Sequence, residues 1–297
     1  MMASLPPATS PPSTAPPSLS PSSSALAGAL IRSAALCCAF PFDVMKSMVQ
    51  ARSPHYQSLL HMPLMLRNMG FKVYNGFPAP LLHTFVNGSI MFGTQAAASQ
   101  QLSLAMGLHQ GPNWFISGCL SGALGGAVAT LPEQVKITMA VNRQHSSSLQ
   151  ALLHLYSATG ARGLTCGLLV TVMRNASFDA TYFTVNNSAK AWATRRNPPL
   201  SPLQHAAALS AISCFAGMLA GTINYPLDVI KTNLQAALLN SSRGAPPSLL
   251  ATARRLRQEG GGLRIFYRGL LPRLAHFGVT WACVGLGFAA AEHIARN

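Results

Sequence analysis

Long apolar segments and shorter amphipathic ones alternate along this chain in a fixed order. The long segments run over 25–50, 76–101, 112–141, 167–193, 203–238 and 269–295. Each exceeds the ~20 residues that a helix needs to span hydrocarbon. Between the members of each pair lie shorter, more polar stretches at 55–70, 147–160 and 247–259, which predict surface helices. The order long, short, long therefore occurs three times. It predicts an all-α membrane protein of six transmembrane helices in three pseudo-symmetric repeats, 25–107, 108–199 and 200–297. An even number of spans leaves both ends on one side. Residues 1–24 are rich in Pro and Ser and carry no charge, so this tail is expected to be disordered. It also lacks the Arg-rich amphipathic character of a mitochondrial transit peptide.

Composition narrows the class. Of 297 residues, 49% are hydrophobic and 9% charged, with mean hydropathy +0.28. A soluble domain has about 25% charged residues, and so few charges cannot cover a water-soluble globule. The net charge of +15 is placed mostly between the apolar segments, where it suits anionic lipid headgroups rather than nucleic acid. The six cysteines lie within apolar runs without metal-ligand spacing and read as unpaired small hydrophobes. No Gly-rich phosphate loop, metal motif or nucleophile elbow is present. No catalytic residue, metal or cofactor is expected, and an enzyme is the least favoured class.

The chain has six acidic residues, and three of them recur in one motif. Pro226-Leu227-Asp228-Val229-Ile230-Lys231 is followed by Gln235. Pro41-Phe42-Asp43-Val44-Met45-Lys46 is followed by Gln50. Leu131-Pro132-Glu133-Gln134-Val135-Lys136 keeps the acid and base but has Ala140 in the glutamine's place. The acids are 90 and then 95 residues apart, a period of whole repeats rather than of a solenoid. Pro41, Pro132 and Pro226 each remove a backbone donor inside a long helix and predict kinks. Acid and base three apart share one helix face. An acid from one repeat can then meet a base from the next, closing a ring from Asp43, Lys46, Glu133, Lys136, Asp228 and Lys231. Ion pairs away from water are marginally stable, which suits a gate.

These motifs, the paired spans and the basic balance resemble the mitochondrial carrier family, over residues 25–295. The resemblance implies a six-helix bundle with three short matrix-side helices, in the mitochondrial inner membrane. It also implies alternating access, with the charge ring closing the matrix side and Gln50 and Gln235 bracing it. Ala140 leaves one brace missing. An aromatic-basic-Gly element opens each even helix of the family. Tyr267-Arg268-Gly269 matches it fully, Tyr74-Asn75-Gly76 lacks the base, and Thr165-Cys166-Gly167 keeps the Gly alone. There Gly76, Gly167, Arg268 and Gly269 are expected to hold cardiolipin, whose phosphates suit exposed backbone N–H groups. A monomer is expected. The family's second, cytoplasmic motif of an aromatic, an acid and a base is absent. Phe92-Gly93-Thr94-Gln95 and Tyr182-Phe183-Thr184-Val185 carry no charge, and Glu292 stands nearly alone. The cytoplasmic gate is then expected to be weak, or built from polar and apolar contacts.

The repeats also align a candidate substrate site. Seven residues after Gly76, Gly167 and Gly269 stand His83, Arg174 and His276. Four further on are Asn87, Phe178 and Thr280, with Asn175 and Asp179 near Arg174. Arg32 enters where the other two repeats have Gly122 and Gly217. An Arg and two His at one level would bind an anion, most simply a carboxylate. In the family this level holds substrate contacts, and Arg174-Asn175 resembles the pair found in carboxylate and keto-acid carriers. The sequence around Asp179 resembles the amino-acid and carnitine group. The expectation is a transporter of a small carboxylate or keto acid, working as an antiporter or with protons through His83 and His276. The alternatives are an amino-acid or acylcarnitine carrier and a carrier-like adaptor that transports nothing.

Overall fold

The computed structural model describes residues 20–50, 62–74, 77–141, 201–240, 248–259, 262–267 and 270–296, together with 167–196 and single positions between 150 and 165. Side chains at 45–50, 134–141 and 235–240 lie outside the description. The chain forms α1 Pro21–Gln50, α2 Met62–Met69, α3 Pro78–Met106, α4 Gln110–Val141, α5 Leu168–Arg196, α6 Pro202–Asn240, α7 Leu249–Glu259 and α8 Leu270–Arg296. Short 3-10 turns at Gly70–Tyr74 and Gly262–Tyr267 lead into α3 and α8. No strand occurs among the described residues.

Local chemistry sets the helix ends. α1 begins at Pro21, inside the stretch expected to be tail. Ser20 caps it, its Oγ accepting from the Ser23 N–H at 3.2 Å, and proline suits the first helical turn. α3 ends at Gly107, whose φ of 57° lets its N–H reach the Ser103 carbonyl. Asn113 of α4 then donates to the Ser99 carbonyl and the Ser103 hydroxyl, fixing this tight link between repeats.

Pro41, Pro132 and Pro226 all lie inside helices. Lacking an N–H, Pro41 leaves the Cys37 carbonyl without its helical donor. The Tyr74 hydroxyl supplies one at 3.0 Å, and the Tyr74 ring stacks on Phe40. Tyr267 stacks on Tyr225 at the equivalent place in the third repeat. The middle repeat has Thr130 and Thr165 there.

Six long helices form one ring. α1 packs on α3, α4 on α5, and α6 on α8; then α3 meets α4, α5 meets α6, and α8 returns to α1. Within the middle pair the approach is very close. A Cβ added to Gly122 would lie 2.2 Å from the Asn175 carbonyl oxygen, and Gly118 and Gly126 also face α5 backbone. Small residues at this spacing let helices touch without a hydrophobic drive. The ring is apolar outside and polar within. Leu82, Leu120, Phe215 and Leu271 are exposed, whereas Ser117, Ser121, Asp179, Asn224, Asp228 and Lys231 are buried. That inversion suits lipid around the ring. Helices α1, α4, α6 and α8 contain stretches long and apolar enough to cross a membrane. Of the short helices, α2 and α7 are described, and the stretch 147–160 is described only in part.

Candidate substrate site and its two closures

The acids of the repeated motif lie at one end of the ring, the motif end, each beside a proline inside its helix. There Lys231 of α6 forms an ion pair with Glu133 of α4, joining the second and third repeats. The other Glu133 oxygen accepts from Arg174 of α5 at 3.0 Å, and Arg174 also reaches Asp228 at 2.9 Å. Asp228 is held again by Arg273 of α8, at 3.2 Å and 3.3 Å. Arg273 lies over the Phe277 ring, 4.6 Å from its centroid. Asn175 Oδ1 accepts from the Arg174 Nε and NH2 groups, and Asn224 donates to the Arg174 carbonyl. So the Arg174 fork is fixed at both edges. His276 Nε2 faces Asp43 of α1 at 4.0 Å. A guanidinium between two carboxylates is the arrangement that its planar fork favours.

One level further in, Arg32 of α1 donates to Asn87 Oδ1 at 3.0 Å and meets the Met91 sulfur at 3.1 Å. Its guanidinium lies 5.5 Å from the Trp281 ring centroid. The same Met91 offers its carbonyl to the Ser121 hydroxyl, and Ser121 also hydrogen-bonds Asp179 at 3.1 Å. Phe178 stacks on Tyr182 and lies against Phe277 and Trp281. The Thr280 hydroxyl donates back to the His276 carbonyl on its own helix.

At the far end the ring is closed by aromatic side chains. Phe92 of α3 meets Phe183 of α5 edge-on, with centroids 5.6 Å apart, and Phe288 of α8 at 5.0 Å. Met91, Tyr182, Trp281, Val284, Ala216 and Ala220 complete the cluster. Above it, Lys190 lies 5.8 Å from the Phe288 centroid, and His205 pairs with Glu292 at 3.1 Å.

The sequence pattern of the family described as "Mitochondrial carrier protein" matches residues 17–104, 110–197 and 203–295, nearly the whole ring. The chain belongs to the mitochondrial carrier family. Its relatives include the mitochondrial S-adenosylmethionine carrier protein of Mus musculus, 28% identical over 238 residues, covering 80% of this chain and 81% of that one. The mitochondrial basic amino acids transporter of Homo sapiens is 28% identical over 265 residues, covering 84% and 82%. The mitochondrial tricarboxylate transport protein of Bos taurus is 27% identical over 264 residues, covering 84% and 82%. This carrier is thus a membrane transport protein of the mitochondrial inner membrane and not an enzyme.

The carrier's predicted residues fall into three groups. Asp43, Glu133, Asp228 and Lys231 face one end of the interior, and Arg174, Asn175 and His276 join them there. Arg32, Asn87, Phe178, Asp179 and Thr280 lie one level inward, with His83 half-buried on α3. The side chains of Lys46, Lys136, Gln50 and Gln235 lie outside the described residues, as do Gly76, Arg268 and Gly269. Gly167 is described, with φ 79°, immediately before α5.

Sequence reasoning missed Arg273, Ser121 and Asn224. It also quoted the Phe92 and Phe183 segments for the charges that they lack, not for their rings. Three residues before His276, Arg273 was open to the same repeat comparison. Its equivalents, Pro80 and Thr171, carry no charge, so a search for like residues passes it by.

Proposed function

We propose that this carrier moves a small carboxylate or keto acid across the inner membrane by alternating access. The observation behind this reading is that Arg174 and Arg273 converge on one carboxylate, that of Asp228. A substrate carboxylate has the same chemistry and can compete for both forks. Taking them from Asp228 would loosen the tie of Arg174 to Glu133 and with it the motif end, which on this reading faces the matrix. Removing one partner from a buried ion pair costs about 3–5 kcal/mol. Substrate binding therefore has to supply that difference between the two states. Six spans, a monomer and cardiolipin at the Gly76, Gly167 and Arg268-Gly269 elements complete the reading.

A second reading is supported by Asp179. This buried acid hydrogen-bonds Ser121 at the inner level of the ring, where it could take a substrate amine. That favours an amino acid, and two of the relatives are named for amine-bearing substrates.

Uptake into liposomes would test both, using dicarboxylates, tricarboxylates, keto acids, basic amino acids, acylcarnitines and S-adenosylmethionine. Carboxylate uptake that needs Arg174 supports the first reading. Uptake restricted to amine-bearing compounds and lost with Asp179→Asn supports the second. No uptake across the whole panel would leave the non-transporting adaptor.

A further inference from the structure

Arg273, Phe277 and Trp281 follow one another at four-residue steps along α8, each step rising about 6 Å on nearly one helix face. Each of the two rings carries a guanidinium. Arg273 lies over Phe277, 4.6 Å from its centroid, and Arg32 of α1 lies over Trp281, 5.5 Å from its centroid. Phe178 of α5 meets both rings, at 5.4 Å and 5.6 Å, although α6 stands between α5 and α8 in the ring. These contacts cross the interior. Two guanidiniums are therefore set about one helical turn apart along one aromatic wall.

The two cations are held differently. Arg273 rests on the Asp228 carboxylate. Arg32 has neutral partners, Asn87 Oδ1 at 3.0 Å and the Met91 sulfur at 3.1 Å. Its Nε is buried without a hydrogen-bond partner. Asp179 stands at the same level but bonds Ser121, and no ion pair joins it to Arg32. A charge away from water without an acid in contact is costly. Packing does not explain it either. The second and third repeats have Gly122 and Gly217 at this place, against the Asn175 backbone and the Trp281 ring, and an arginine spoils such a close approach.

We propose that Arg32 receives a second carboxylate of the substrate, so that the carrier selects dicarboxylates of five or six carbons. This rests on the carboxylate reading. Arg174 and Arg273 take one carboxylate from Asp228, Arg32 takes the other, and the methylenes between them lie along Phe277, Phe178 and Trp281. An extended carbon chain advances about 1.25 Å per bond. Four or five bonds between the carboxyl carbons therefore match the rise of about 6 Å from one guanidinium to the next. A monocarboxylate leaves Arg32 with Asn87 and Met91 alone and gains no second charge-assisted contact.

The full-length protein in liposomes would be offered malonate, succinate, glutarate, adipate and pimelate, beside valerate and the monoamide of glutarate. Uptake kcat/KM should peak at glutarate or adipate and exceed that of valerate and the monoamide by at least about tenfold. The preferred dicarboxylate should also raise the thermal midpoint of the purified carrier more than the monoamide does, which reads binding without transport. Arg32→Gln should raise KM for that dicarboxylate more than it lowers kcat, and remove the preference over the monoamide. Arg32→Lys keeps the charge without the fork and should restore part of it. The chain-length and monoamide comparisons need the wild-type protein alone, so they decide the matter even where Arg32→Gln does not fold. Equal use of glutarate, its monoamide and valerate would overturn the proposal while leaving the carboxylate reading intact. So would a preference that is flat across chain length, or one that survives Arg32→Gln in folded protein. Neither uptake nor thermal response with any of these acids would remove the carboxylate reading, and this inference with it.

Discussion

At the motif end, Lys231, Arg174 and Arg273 hold the carboxylates of Glu133 and Asp228. At the far end, Phe92 touches Phe183 and Phe288. The aromatic closure draws on α3, α5 and α8 and the ionic one on α4, α5, α6 and α8, yet their physics differs. An ion pair is directional and can be taken over by a competing charge. An aromatic contact is held by buried area and by edge-to-face geometry, to which a substrate's charge is indifferent. A small anion can therefore act directly on the motif end. The far end can part only as the helices themselves move. Substrate recognition and gate opening are accordingly expected to share residues at one end and not at the other.

Arg174→Ala strikes the ionic end hardest. It would take one base from each of the Glu133 and Asp228 carboxylates, in a buried setting where such a loss costs about 3–5 kcal/mol. Uptake should fall by a factor of at least about 100, since each 1.4 kcal/mol is tenfold. Arg174→Lys keeps the charge but not the fork, and should recover little. Wild-type uptake by Arg174→Ala in liposomes would remove the arginine from both site and gate.

Phe92→Ala attacks the other end. Truncating a buried phenylalanine costs about 3–5 kcal/mol, so the thermal midpoint of the purified carrier should drop substantially. Phe92→Leu keeps an apolar filling and should cost less, about 1.5 kcal/mol or below if the cluster repacks. A cysteine placed at Asn87 reports the consequence for the gate. Its labelling by a water-soluble maleimide from the far side should rise with Phe92→Ala and change little with Phe92→Leu. Equal labelling in all three proteins would mean that the rings pack the bundle without closing it.

The ionic end can be sharpened by a double-mutant cycle on Glu133→Gln and Lys231→Gln. Each single change leaves a buried charge less well paired, and the double change removes both charges. The coupling energy from thermal unfolding should fall within about 0.5–3 kcal/mol, with the double variant more stable than simple addition predicts. Strict additivity would show that this pair contributes nothing to holding the second repeat against the third.

How much of this was legible in the sequence depends on whether a feature repeats. The long helices begin and end within a few residues of the apolar segments, because a 20-residue apolar run has few other structures open to it. Asp43, Glu133 and Asp228 stood out because acids are scarce and these three recur in register. Residues that break the symmetry were harder to see. Asn224 has Ala39 and Ala129 as its equivalents, and Arg273 has Pro80 and Thr171, so comparing repeats conceals both. The aromatic closure was illegible for another reason. A phenylalanine in an apolar helix looks like any packing residue until its partners on other helices are known. The placement of Arg174 needed three dimensions as well. Its sequence position marked a contact level, but not that Glu133 and Asp228 reach that level from two neighbouring helices.

The smallest effect is expected where charge persists at the far end. Twenty-three residues after Gly76, Gly167 and Gly269 stand Ser99, Lys190 and Glu292, one position in three repeats. Lys190 lies near the Phe288 ring, and Glu292 pairs with His205. This could be a second ionic latch, but its exposure argues otherwise. The His205 and Glu292 side chains are 35% and 36% accessible, and water and salt screen such a pair. Exposed pairs contribute about 0.2–1 kcal/mol. Glu292→Gln should therefore shift the thermal midpoint slightly, less so at high salt, and leave uptake within about twofold. A loss on the scale of Arg174→Ala would show that Lys190, His205 and Glu292 close the far end by charge. The two ends would then differ in the number of ion pairs and not in kind, and the phenylalanines would be packing beneath a latch.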